Sequence, residues 1–176
     1  MKNHCKACLY ASGMNPSSPA LPGCFRRALA QDAPALATLA FRSKALWGYD
    51  PEFLERARPA LTPSAAYLAH RPVYLLEAAG QLIGFYGFDF EQEEAFLQDL
   101  FIAPEFVGRG YGRRLWAHLL GTARREGIPS FLILSDPHAE GFYLRMGARR
   151  VGERVAPETG RRLPLLRADC PAPPAG

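Results

Sequence analysis

Residues 107–116, VGRGYGRRLW, set three glycines on alternate positions, Gly108, Gly110 and Gly112, place Arg109 between the first two, and run straight into helix-forming residues. Without a Cβ such a stretch turns tightly from strand to helix and leaves bare backbone amides at the helix start. With the positive end of the helix dipole behind them, those amides favour a negatively charged ligand, and phosphate is the usual one. The spacing names no particular phosphate compound. Taken alone, the repeat is served as well by a plain tight turn.

Downstream, Gly112, Leu115, Trp116, Leu119, Leu120 and Ala123 recur at helical spacing and make one apolar face, with Arg113, Arg114 and Arg124 off it. Upstream, EEAFLQDLFIAP reads as a strand that stops at Pro104, preceded by VYLLEAAGQLIGFYGFDF, an antiparallel hairpin divided at Gly80. CFRRAL reads as a first strand and QDAPALATLAFRSKAL as a helix capped by Asp32 with Pro34 in its first turn. Asp50-Pro51 and Thr62-Pro63 mark two further short helices or one broken one. After the glycine helix come SFLILS as a buried strand, AEGFYLRM as a short helix ended by Gly147, and two final strands in ARRVGERV and RRLPLLRAD.

A chain of 176 residues with ordinary apolar content predicts one compact domain. Its boundaries are read as a flexible N-terminal extension over 1–22, a domain over 23–169 and a C-terminal tail over 170–176. The 21 basic residues exceed the 17 acidic ones only mildly. Arg109, Arg113, Arg114, Arg124 and Arg125 gather in or just after the glycine stretch, so the charge is local rather than spread over a nucleic-acid face. No run approaches the roughly 18 apolar residues of a membrane span, and no signal-peptide core opens the chain, so a soluble cytoplasmic protein is expected. Cys5 and Cys8 form a C-x-x-C beside His4, but Cys24 and Cys170 lie far off and no second pair completes a zinc spacing. Reduced cysteines and no metal are the expectation.

The two familiar nucleotide motifs do not fit. A dinucleotide fingerprint belongs early in a βαβ unit, whereas these glycines follow an antiparallel meander, and the G-K-[ST] of a P-loop is missing. The strand end LFIAP, then EFVGRGYGRRL, and some 25 residues later SDPHAEGFYLRMGA, closely resemble the GNAT superfamily of acetyl-CoA-dependent N-acetyltransferases. FRSKALWGYD and GRRLPLLR resemble a bacterial branch of small GNAT proteins without an assigned acceptor.

The resemblance, over about residues 24–168, implies an α/β (α+β) fold: a mostly antiparallel mixed sheet of about seven strands, flanked by helices and splayed between the fourth and fifth strands. It implies an acyltransferase of the EC 2.3.1 type that moves the acetyl group of acetyl-CoA to a primary amine by direct attack in a ternary complex. The pyrophosphate would lie on Gly108, Arg109, Gly110, Tyr111, Gly112 and Arg113, with Val107 standing at the family's usual Gln or Arg. The pantetheine arm would lie along Leu100, Phe101 and Ile102, whose amides polarise the thioester carbonyl. His138 stands where the family often has Asn, Phe142 belongs to the cofactor wall, and Tyr143 matches the tyrosine that protonates the departing thiolate.

Phe96 stands where some relatives carry a catalytic glutamate, so the base is open among Glu94 on the same strand face, Asp99 on the other face unless a bulge flips it, and water. Trp47, Tyr49 and Asp50 are the implied acceptor contacts. A homodimer is compatible with the resemblance. A non-catalytic acyl-CoA-binding module is the alternative, and a nucleic-acid binder ranks third.

Overall fold

The computed structural model describes residues 21–170. The Cys5/Cys8 pair and most of the 1–22 and 170–176 segments lie outside the described residues. Chain order gives strand β1 (Cys24–Arg27), helices α1 (Ala33–Ala45), α2 (Pro51–Ala57) and α3 (Ala65–His70), strands β2 (Val73–Ala78), β3 (Gln81–Glu91) and β4 (Glu94–Ile102), helix α4 (Tyr111–Arg125), strand β5 (Ser130–Leu134), helix α5 (Pro137–Arg145), and strands β6 (Arg149–Val155) and β7 (Arg162–Asp169). The strands form one seven-stranded sheet in the order β1-β2-β3-β4-β5-β7-β6. Every pairing is antiparallel except the parallel pair β4 and β5. This is the mixed, mostly antiparallel sheet that the sequence led us to expect.

Alternation along the strands feeds two cores. Leu76, Tyr86, Phe88, Leu97 and Phe131 meet Leu115, Trp116 and Leu119 on the α4–α5 face. Val73, Leu75 and Phe85 meet Leu36, Leu39, Phe53 and Leu68 on the face of α1 to α3. Each such fully buried side chain stabilises the fold by about 1.5–3 kcal/mol. The α4 face read from the sequence is the buried one, with Leu115, Leu119 and Ala123 wholly inaccessible. Buried polar groups there are satisfied: the Tyr86 hydroxyl lies 2.7 Å from His118 Nδ1 and 2.8 Å from Thr122 Oγ1. Burial, with Arg125 and Arg114 adding, pushes the His118 imidazole down to about 4, which keeps it neutral in this layer.

Two local readings are corrected. Asp32 does not cap α1 with its side chain. Its carboxylate accepts the Leu29 N–H at 2.8 Å and two bonds from Arg26 at 2.7 and 2.9 Å, while Arg26 also donates to Glu77 at 2.8 and 3.1 Å. A bidentate guanidinium outcompetes a lone amide, and the same fork ties β1 to β2 and to the turn before α1. The third helix is capped by Ser64, whose Oγ accepts the Tyr67 N–H at 3.0 Å, and not from Thr62. Ahead of β1, Arg114 on α4 donates to the carbonyls of Leu21 at 2.6 Å, Pro22 at 2.7 Å and Gly23.

Candidate active site

The parallel pairing of β4 with β5 is confined to Ala95 with Phe131 and Phe96 with Leu132. Beyond it, β4 stays paired with β3 as far as Ile102, so its other edge opens away from β5 and a slot forms between them. The chain then runs through a 3-10 turn, Pro104–Phe106, into the glycine stretch and α4. Gly110 is the N-cap of α4 at φ 87°, a left-handed conformation that costs an L residue about 1–2 kcal/mol. It has no side chain to cap the helix, and the first bond back to it is Arg114 N–H to the Gly110 carbonyl at 3.3 Å. The amides of the first turn therefore point, uncapped, out of the helix start beside the slot.

Val107, Gly108, Arg109, Gly110 and Arg113 are all exposed around this helix start. The Arg109 guanidinium lies 5.8 Å over the Phe106 ring. Tyr111 turns its ring into the core, 5.6 Å from Phe106, and so offers a ligand its backbone rather than its phenol.

Inside β4 the register shifts: Leu97 pairs with Phe88 and Asp99 with Gly87, leaving Gln98 as the extra residue of a bulge. The bulge inverts the alternation, so Asp99 joins Phe96 and Phe101 on the face of α1 to α3, while Leu100 and Ile102 face α4. Asp99 is 4% exposed. Burial, with the negative charge of Asp89 adding to it, pushes its carboxyl up to about 7 against the opposing pull of the Tyr67 phenol. The Tyr67 hydroxyl faces Asp99 across Gly87 and, among the described residues, closes no hydrogen bond. A Cβ on Gly87 would stand 2.2 Å from that hydroxyl and 2.9 Å from Val73 Cγ2. Gly87→Ala is accordingly expected to cost about 1–3 kcal/mol in denaturant unfolding, with part of the loss recovered when Tyr67→Phe is added.

Glu94 lies at the far end of the same strand, exposed and 3.8 Å from Arg167, before the slot opens. Tyr143 on α5 is 7% exposed, with its ring against Trp116 at 5.9 Å and Phe142 at 5.3 Å. Burial first, and then the charges of Asp136 and Asp99, hold its phenol well above the ordinary range. The proton therefore stays on oxygen at neutral pH.

A second wall faces the slot from α1 and α2. The Tyr49 and Phe53 rings lie tilted against each other at 4.4 Å, and Trp47 lies parallel to His138 at 5.2 Å. His138 thus packs with two of the three residues assigned to the acceptor. Asp136 is the hub: its carboxylate caps α5 through the His138 N–H at 2.9 Å, accepts the Tyr49 hydroxyl at 3.0 Å, and pairs with Lys44. Partial burial raises this carboxyl, but Lys44, the His138 amide and Tyr49 together hold it below the ordinary range. Asp50 turns the other way and caps α2, accepting the Phe53 N–H at 2.7 Å. From the turn before β7, Arg161 lies 5.1 Å over both the Tyr49 and Phe53 rings.

Phe142 on α5 comes close to Gly112, which also lies beside Ile102, and the start of the same helix gathers Trp47, Tyr49 and His138 around Asp136. The structure leaves Glu94 apart and turns Asp50 into a helix cap. Sequence reading passed over Lys44, Tyr67, Asp136 and Arg161. Of these only Asp136 carried a signal, since Asp136-Pro137 is a helix start of the same form as Asp50-Pro51.

The sequence profile of the Acetyltransferase (GNAT) family matches residues 37–148. An uncharacterized N-acetyltransferase, ycf52, of Gracilaria tenuistipitata var. liui is 34% identical over 53 residues, which span 30% of this chain and 29% of that protein. Among solved structures, a GCN5-related N-acetyltransferase (Aminotransferase, Class-II) from Rhodopseudomonas palustris superposes with a TM-score of 0.71 at 19% identity, covering 85% of this chain and 96% of its own. The PaiA N-acetyltransferase of Thermoplasma acidophilum, in complex with coenzyme A, gives 0.68 at 16% identity over 85% of this chain and 99% of its own. At these identities the two structures establish a shared fold. No helix among the described residues is long and apolar enough to cross a membrane.

Proposed function

Because the chain belongs to the GNAT acetyltransferase family, we propose that it binds acetyl-CoA in the slot between β4 and β5 and transfers the acetyl group directly to a primary amine. The observation that carries this reading is the uncapped start of α4 at Gly110, set beside the open edge of β4. The pyrophosphate rests on the amides of residues 108–113, with Arg109 and Arg113 supplying charge-assisted bonds from the exposed side. Val107 contributes backbone only, which the amides tolerate because they need no particular side chain there. The pantetheine arm runs along Leu100, Phe101 and Ile102, against Phe142, and amides of this strand polarise the thioester carbonyl.

The acceptor enters over Trp47, Tyr49 and His138. Asp99, rather than Glu94, takes a proton from its ammonium group to give the free amine. Attack of that nitrogen on the thioester carbon forms the C–N bond, and collapse of the tetrahedral intermediate breaks the C–S bond. Tyr143 gives its proton to the departing thiolate and regains one from the nitrogen of the new amide. The products are the acetylated amine and coenzyme A thiol. Residues 1–20 are proposed to take no part in these steps.

The test for the cofactor turn is calorimetric. Gly110→Asp puts a like charge where the pyrophosphate rests, whereas Gly110→Asn places nearly the same shape without the charge, and both residues tolerate φ near 87° better than most. The aspartate variant is expected to lose coenzyme A affinity well beyond the asparagine variant while melting like it. Equal affinities in the two folded variants would remove the pyrophosphate from this turn.

A further inference from the structure

Tyr49 and Phe53 carry two cations over their tilted rings. Lys44 Nζ lies 5.2 and 5.9 Å from the two ring centres, and the Arg161 guanidinium lies 5.1 Å from each. One of these charges is answered, because Lys44 pairs with Asp136. Arg161 is not: it is half-buried, and among the described residues no carboxylate lies within ion-pair distance of it. The other arginine of this turn, Arg162, turns away to Glu153 at 3.5 Å and is exposed.

Arg161 is also held in place. The turn that carries it is closed by Ala156 N–H to the Arg161 carbonyl and Gly160 N–H to the Ala156 carbonyl, both at 2.8 Å. The Arg161 guanidinium interacts with the Tyr49 hydroxyl, and its five N–H donors still leave a fork that can bind a carboxylate through two parallel bonds. The wall stands beside the reacting groups, since Asp136 at its centre caps α5, the helix that carries Tyr143.

We infer that the acceptor is an amine that also bears a carboxylate, and that Arg161 binds the carboxylate while the aromatic wall of Tyr49 and Phe53 lies under the carbon skeleton. This inference rests on the acetyltransferase reading above. It gives the half-buried guanidinium its missing counter-ion and sets the amine between Asp99 and Tyr143. A neutral amine in the same place leaves the guanidinium unanswered.

The experiment follows thiol release from acetyl-CoA with the proteinogenic L-amino acids and, in parallel, their carboxamides, which keep the amine and side chain and remove the negative charge. The best amino acid is expected to exceed its own amide in kcat/KM by about 10- to 100-fold, the worth of a charge-assisted bond. Arg161→Ala should erase that ratio by raising KM for the acid alone, and Arg161→Lys, which keeps the charge but not the fork, should restore part of it. Amides that match their acids, an Arg161→Ala variant that slows both alike, or turnover of neither class by protein that binds coenzyme A would each overturn the carboxylate assignment. Failure to bind coenzyme A at all overturns the acetyltransferase reading, and this one with it.

Discussion

Tyr143→Phe is expected to slow acetyl transfer by about 10²- to 10⁴-fold, the usual contribution of a positioned acid, with folding and coenzyme A affinity unchanged. The ring is what packs: it lies against Trp116 and Phe142 in the core, and phenylalanine keeps those contacts. Only the hydroxyl is lost, and with it the proton for the leaving sulfur. Because burial and two nearby carboxylates hold that phenol protonated, the loss should be about equal across the neutral pH range. A calorimetric titration with coenzyme A beside steady-state rates separates the two effects. Full activity in a variant that binds coenzyme A normally would assign the proton to water and leave Tyr143 as part of the cofactor wall.

Asp99→Asn should produce a loss of similar size for the complementary reason. The wild-type rate should fall as pH drops below about 7, where the raised carboxyl takes up its proton and ceases to act as a base. The asparagine variant should lose that acidic limb along with most of its rate. Stability supplies an independent reading with a definite sign. A carboxyl whose folded pKa lies above its unfolded value binds more protons in the native state, so native stability falls as pH rises from about 4 to about 7. Asparagine removes that dependence, so Asp99→Asn should gain stability relative to wild type above pH 7, even as it loses activity. A variant with wild-type rate and an intact acidic limb would place the base elsewhere.

What the sequence disclosed depended on how local each signal was. The glycine stretch and the period of α4 lie within about twenty consecutive residues, and both the turn and the buried face appear where they were read. The succession of strands and helices along the chain followed from alternation and punctuation, and so did the hairpin at Gly80. Asp32 was legible as a cap only if nothing stronger competed for it. Arg26 does compete, six residues upstream, and β pairing brings Glu77 to the same fork.

The face of Asp99 turned on the position of one bulge, and a bulge at Gln98 leaves no mark in a run such as FLQDLF. The acceptor wall was least legible of all. Lys44 and Asp136 stand 92 positions apart in sequence, and Arg161, read as the first residue of the last strand, reaches the same rings from the turn before it. Tyr67 gave no signal because its significance lies in Gly87 opposite, where the missing Cβ makes room for a hydroxyl from another element.

The activity proposed for the slot between β4 and β5 is acetyl transfer rather than acyl-CoA binding alone. The most direct measurement incubates the full chain with acetyl-CoA and a panel of primary amines and follows thiol release together with the mass of both amine and protein. Thiol release should depend on the amine, with one acetylated amine for each thiol and no acetylated protein on the way. Tight binding of acetyl-CoA with no amine-dependent release from any member of the panel would contradict the proposed activity and identify a catalytically silent acyl-CoA-binding module.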